Sequence, residues 1–200
     1  MKETGIIFTP DNIRAIRDGR KTQTRRLLKP QPPDVSFCPW VMSGWSIGDG
    51  QGACTCKEIK NPYGVPGDRI YVKEDVIVDS RTGELAGYYL DGCRPTTRPY
   101  LKCLTAMFMA KRYARTWLEI TDVRGQWLQD ISEEDAIAEG IQRQALPDLK
   151  GNHFHWGDKT KDRCKTAVEA YRGLWDSTNG KKHPWSSKPW VWVLTFRREQ

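Results

Sequence analysis

The chain has 200 residues, a formal net charge of +7 and a sequence pI near 9.1. That length suits one domain, residues 1–200, and can bury a core without disulfides. No run approaches the roughly 20 apolar residues of a membrane span, and the opening Met1-Lys2-Glu3-Thr4 lacks the apolar core of a signal peptide, so no membrane partner is expected.

The compartment expected is therefore the cytoplasm, where the six cysteines stay reduced. The positive excess favours an anionic partner such as nucleic acid or a nucleotide. It is unevenly spread. From Arg14 to Lys29 there are seven basic residues against one acid, Asp18, and from Arg94 to Arg115 six basic residues and no acid. Together the two blocks can form a basic face for nucleic acid.

In chain order, Gly5-Ile6-Ile7-Phe8 reads as a short buried strand. Thr9 is an N-cap and Pro10 the first position of a helix that buries Ile13 and Ile16 and stops at Gly19. Lys21 to Leu27 is a loop entering a strand, with Thr22, Thr24 and Arg26 on one side. Residues 30–62 are rich in Pro, Gly, Ser, Trp and Cys without periodicity and form a long irregular insertion. After the turn Pro66-Gly67-Asp68, Arg69 to Val78 alternates as one strand. Tyr88 to Leu90 is a further short strand, and Tyr113 to Val123 a longer one. Ser132 caps a helix with acids in its first turn, which ends at Gly140. Gln142 to Lys165 reads as polar loop. Thr166 to Ser177 is an amphipathic helix, and Trp190 to Phe196 a strand buried on both faces. The pattern is α+β, built around a compact barrel.

Cys38, Cys54 and Cys56 lie in the insertion, but Cys-x-Cys is not the usual zinc knuckle and no clean second pair follows. No metal and no cofactor are expected. Nothing in the pattern specifies an oligomeric state.

The segment Gly19-Arg20-Lys21-Thr22-Gln23-Thr24-Arg25-Arg26, after a short helix, resembles the opening signature of ASCH domains. Pro66-Gly67-Asp68-Arg69 with the strand Ile70 to Lys73 resembles the second block of that family. Leu118 to Val123 with Asp130 to Ile141 resembles the third, and the Leu174-Trp175 helix with Pro189 to Val193 completes the order. The likeness is nearest to a longer, phage- and prophage-encoded branch. It implies a PUA-like β-barrel with flanking helices, and the cytoplasm of a bacterial host.

The family includes a short bacterial enzyme that hydrolyses N4-acetylcytidine to cytidine and acetate. By that resemblance its catalytic lysine, threonine and glutamate fall on Lys21, Thr24 and Glu139. The resemblance thus implies a hydrolase of a modified nucleoside or RNA base. Another family member is described as a ribonuclease, so a nuclease and a non-catalytic RNA- or DNA-binding module remain alternatives.

Amide hydrolysis needs a nucleophile, a base and an acid for the leaving amine. Thr24 offers the hydroxyl, and Lys21 the base if its pKa falls. Glu139 either donates a proton or positions Lys21. Arg20 and Arg26 are expected to hold phosphate or the carbonyl oxygen. Tyr63 can stack a base, and Lys73 and Glu74, closing the second block, are further expected substrate contacts.

Overall fold

The computed structural model describes residues 1–31, 45–47, 57–59, 61–95, 98–145, 152–156 and 164–199. Strand β1 (Glu3–Ile7) leads to helix α1 (Pro10–Arg17) and strand β2 (Gln23–Leu27). Within the insertion, β3 (Trp45–Ile47) pairs antiparallel with β4 (Lys57–Ile59). Cys38, Cys54 and Cys56 lie outside the described residues. Then come β5 (Arg69–Lys73), β6 (Val76–Asp79), β7 (Leu85–Tyr88), β8 (Leu101–Leu104) and the long β9 (Trp117–Trp127). Helix α2 (Glu133–Ala138), β10 (Gln142–Ala145), β11 (Asn152–His155), helix α3 (Ala167–Asn179) and β12 (Trp190–Arg198) complete the chain.

The helices begin where side chains satisfy their first N–H groups. Thr9, Ser132 and Thr166 each accept a hydrogen bond from the backbone of the following turn. Glu133 adds a link between helices, its carboxylate accepting from Ala167 N at 2.7 Å and Val168 N at 3.3 Å. An acid there also meets the positive end of the α3 dipole.

The principal sheet has the order β1-β5-β9-β12-β2, with β1 parallel to β5 and the other pairs antiparallel. β12 lies inside it and is buried on both faces, as its apolar run implies. On one face Leu194 and Phe196 pack with Ile6, Ile70, Val72, Leu118 and Ile120 under Ile13 and Ile16 of α1. On the other, Val191 and Val193 pack with Ala136 of α2 and Ala170, Tyr171 and Trp175 of α3. Each fully buried Leu, Ile or Val contributes about 1.5–3 kcal/mol, so this two-sided strand anchors the fold.

Mixed α and β structure is thus observed. Among the described residues the strand pairing runs from β1 to β2 without closing into a ring. The two edges nevertheless communicate. The Arg26 guanidinium of β2 donates to the carbonyl of Ile7 at the end of β1 at 2.8 Å, and it stands 5.0 Å from the centre of the Phe8 ring.

Several elements differ from the sequence reading. Arg69 to Val78 is two strands, because the chain turns at Glu74 and Asp75. Glu74 is buried against Arg115, Asp75 accepts from Ala106 N at 2.7 Å, and β6 leaves for a separate sheet ordered β7-β6-β8. Tyr89 and Leu90 belong to a 3-10 turn. The long strand starts at Trp117. Tyr113 instead ends a 3-10 turn and packs with Val76, Val78 and Met109 in the small sheet's own core. The segment read as polar loop contains the antiparallel pair β10 and β11. No described helix is long and apolar enough to cross a membrane.

Candidate functional site

Three pieces of backbone position Lys21. Its own N–H donates to Ala15 O at 3.0 Å, at the end of α1. The next N–H, of Thr22, donates to Ala138 O at 2.9 Å, at the end of α2. Gly140, with φ of +100°, turns the chain out of α2. Glycine serves the positive φ, and a Cβ there would touch Lys21 Cβ at 3.5 Å, an ordinary van der Waals contact.

Lys21 is thereby driven into the interior, where its ammonium nitrogen donates to the Glu139 carboxylate (Oε2, 2.6 Å) and to the Glu139 carbonyl (2.7 Å). Both side chains are almost wholly buried. The other carboxylate oxygen, Oε1, accepts from Arg25 at 3.2 Å and from the Tyr171 hydroxyl at 3.5 Å. Arg25 continues the network to Asp135 at 2.6 Å and Gln23 at 2.6 Å, and Arg124 also reaches Asp135 at 2.8 Å.

Burial lowers the Lys21 pKa from its ordinary 10.5, against the opposing charge and hydrogen bond of Glu139; Arg26 and Arg25 add to the lowering. Tyr171 is pushed well above 10.0, first by burial and then by the charge of Glu139, so its phenol stays a neutral donor. Burial disfavours the charge of Asp135 as well, yet Arg25 and the hydrogen bonds from Gln23 and Arg124 leave its pKa below the ordinary 3.8.

Strand register separates the motif into two faces. Thr24 sits opposite Leu194 and Arg26 opposite Trp192, while Gln23 and Arg25 face Thr195 and Val193. Opposed residues of an antiparallel pair share a face. Thr24 and Arg26 thus lie on the α1 side, and Gln23 and Arg25 on the side of α2 and α3. Thr24 is buried, and among the described residues no hydrogen bond joins its hydroxyl to Lys21 or Glu139.

At the free edge of β2 a pocket of about 280 Å³ opens, lined by Arg25, Arg26, Lys29, Pro62, Tyr63 and Trp175 among others. This is close to the lower end of the ~300–1,000 Å³ typical of small-molecule sites. Its walls combine three cations with two aromatic rings, a composition suited to an anionic or polarised aromatic ligand. Nε of Arg26 and Nε of Arg25 are buried without a hydrogen-bond partner among the described residues. Such donors are costly unless something accepts from them.

Of the expected catalytic set, Lys21 and Glu139 meet directly, and Thr24 lies three residues along on β2. Of the expected substrate contacts, Arg26 and Tyr63 meet at the pocket. Arg20, Lys73 and Glu74 do not. Arg20 pairs with Asp18 at 2.8 Å on the surface, and Lys73 donates to Met107 O at 2.7 Å. Glu74 is held by both arms of Arg115, at 2.9 and 2.7 Å, and lines a different pocket. The turn after Lys73 carries them away.

The sequence reading missed Gln23, Arg25, Asp135 and Tyr171 as members of the network. Alternation along β2 was the available signal, since it sends Arg25 to the face opposite Thr24, where a buried guanidinium requires acids. Among the described residues no three His, Cys, Asp or Glu side chains gather as a metal site, and Cys93 and Cys103 are free thiols. Comparison with family models, with curated proteins and with solved structures found no match to the chain.

Proposed function

We propose that the chain is an ASCH-type hydrolase, on a PUA-like barrel, that cleaves an exocyclic amide of a modified nucleoside or RNA base, N4-acetylcytidine being the reference substrate. The observation that carries this reading is the buried Lys21, depressed in pKa yet held at a fixed position by Glu139. A lysine whose burial favours loss of its proton can act as a general base. The Arg26 link from β2 to β1 supports the barrel, because it draws together the two edges of the sheet.

A neutral amine has two N–H bonds and one lone pair. Glu139 offers two acceptors to Lys21, its carbonyl and its carboxylate, which can take both N–H bonds and leave the lone pair as acceptor for the Thr24 hydroxyl. The reading requires the Thr24 side chain, on the α1 face of β2, to come within hydrogen-bond reach of Lys21 when substrate binds. Thr24 Oγ1 then bonds to the amide carbon while its proton passes to Lys21 Nζ. The C–N bond breaks, Lys21 returns the proton to the leaving N4 amine, and water hydrolyses the acyl ester, releasing acetate. Arg26 Nε, buried without a hydrogen-bond partner among the described residues, is a donor for the carbonyl oxygen as it becomes negative. Glu139 accepts from Lys21, Arg25 and Tyr171, and this makes it a positioning carboxylate in preference to the proton donor weighed from the sequence.

The test is incubation with N4-acetylcytidine and related N4-acylcytidines. Wild type is expected to release cytidine, Lys21→Ala and Thr24→Ala to lose at least about 100-fold in rate, and Thr24→Ser to retain activity. Absence of turnover by folded wild type would reject hydrolysis. A non-catalytic nucleic-acid module would then be the better account, supported by the run from Arg94 to Arg115 without an acid.

A further inference from the structure

A second pocket, of about 180 Å³, lies between the start of α1 and the small sheet. Its apolar walls include Phe8, Ile13, Tyr89 and Leu90, and its charged groups include Arg14, Arg94 and Asp75. Phe8 in its wall stands with its ring centre 5.0 Å from the guanidinium of Arg26, which lines the first pocket. The volume is below that of drug-sized sites and suits one flat ring better than a whole nucleotide.

Each polar group has a definable role. Glu74 is spent on Arg115, so it offers nothing to a ligand. Asp75 uses Oδ1 to accept from Ala106 N, and its Oδ2 takes no hydrogen bond among the described residues. A carboxylate oxygen on an apolar pocket wall can accept from the amino edge of a base. Arg14 is an exposed cation on α1 that pairs with Asp11 at 2.9 Å, a surface pair open to competition from a phosphate. Arg94 is exposed, lies 3.6 Å from the centre of the Tyr89 ring and makes no ion pair among the described residues. Beyond Ala106 in the wall, Met107 and Phe108 are 66 % and 71 % exposed. Large apolar side chains left in water suit stacking against a nucleic-acid strand.

We propose that this pocket is a subsite for the base adjoining the reacting one, so that the substrate is a nucleic-acid strand and not a free nucleoside. The inference rests on the hydrolase reading for the identity of the first pocket. The neighbouring base stacks on Tyr89 and gives its amino edge to Asp75, while Arg14 and Arg94 meet the phosphodiester.

The experiment compares N4-acetylcytidine with dinucleotides carrying it beside adenosine or cytidine, on wild type, Arg94→Ala and Asp75→Asn. Asparagine keeps the acceptor that Ala106 N requires. The dinucleotide is expected to exceed the nucleoside in kcat/KM by about tenfold, and both variants to lose that gain while leaving the nucleoside rate unchanged. Equal kcat/KM for the two substrates, or a gain that survives both substitutions, overturns the subsite. Binding of a labelled trinucleotide is measured in parallel. If nothing is hydrolysed, the catalytic reading fails on its own. Weaker trinucleotide binding by Arg94→Ala and Asp75→Asn would then still uphold the subsite, and unchanged binding would remove it.

Discussion

Lys21 Nζ lies 2.6 Å from the Glu139 carboxylate and 2.7 Å from the carbonyl oxygen of the same residue. One residue thus supplies a charge that raises the lysine pKa and a neutral acceptor that holds the amine in either protonation state.

Glu139→Gln separates those two effects. The amide keeps an acceptor for Lys21 but removes the charge facing Lys21 and Arg25. Arg25 keeps Asp135, but leaving the buried Lys21 cation unpaired costs about 3–5 kcal/mol, a fall in Tm on the order of 10 °C for a chain of this size. Without the carboxylate the Lys21 pKa falls further, so the rising limb of the pH–rate profile moves to lower pH. A limb that stays in place in a folded variant would show that Glu139 does not set the base.

The same lysine makes stability depend on pH. Its folded pKa lies below the unfolded value near 10.5, so the unfolded chain binds more protons in the interval between them. Stability therefore rises with pH across that interval, because the buried charge disappears. Urea melts of wild type and Lys21→Met at increasing pH should diverge there, with only wild type gaining. Parallel curves would mean that Lys21 titrates as an ordinary exposed lysine.

Gly140→Ala and Gly19→Ala form a matched pair. Both glycines have positive φ, +100° and +73°, and each substitution incurs backbone strain of about 1–3 kcal/mol. Only at Gly140 does the added methyl meet Lys21; at Gly19 nothing lies within 4 Å. Hydrolysis is expected to fall severalfold more in Gly140→Ala than in Gly19→Ala at comparable loss of Tm. Equal activity in the two would disconnect this turn from the base.

Asp91 bridges Arg17 of α1 and Arg115 beside the small sheet. Hydrogen bonds from Arg115 and Arg17 hold its carboxyl down to about 2, from an ordinary 3.8. Its contribution is present above pH 3.8 and is lost as pH falls through about 2. The side chain is largely solvent-exposed, so solvent screens the effect on stability. A carboxyl carbon titration by NMR should place the Asp91 midpoint well below the ordinary 3.8, and a midpoint near that value would mean that the bridge does not persist in solution.

Local chemistry made much of this protein readable along the chain. Thr9 with Pro10 and Ser132 with its acids are capping signals whose physics is complete within one turn, and both helices start where they imply. The run from Trp190 to Phe196 needs no partner to be identified as buried on both faces. The family resemblance, and not local chemistry, implied Lys21 and Glu139, which are in contact. What lay beyond reach was set by groups distant in sequence. Arg69 to Val78 alternates as one strand until Arg115 and Ala106 draw Glu74 and Asp75 into a turn. The burial of Arg25, and its pairing with Asp135 and Glu139 beneath Tyr171, depends on α2 and α3 packing over one face of β2. Caps and periodicity act between residues a few positions apart. A buried ion network acts between residues more than a hundred positions apart, and only the assembled fold supplies the low-dielectric surroundings that lower the pKa of Lys21.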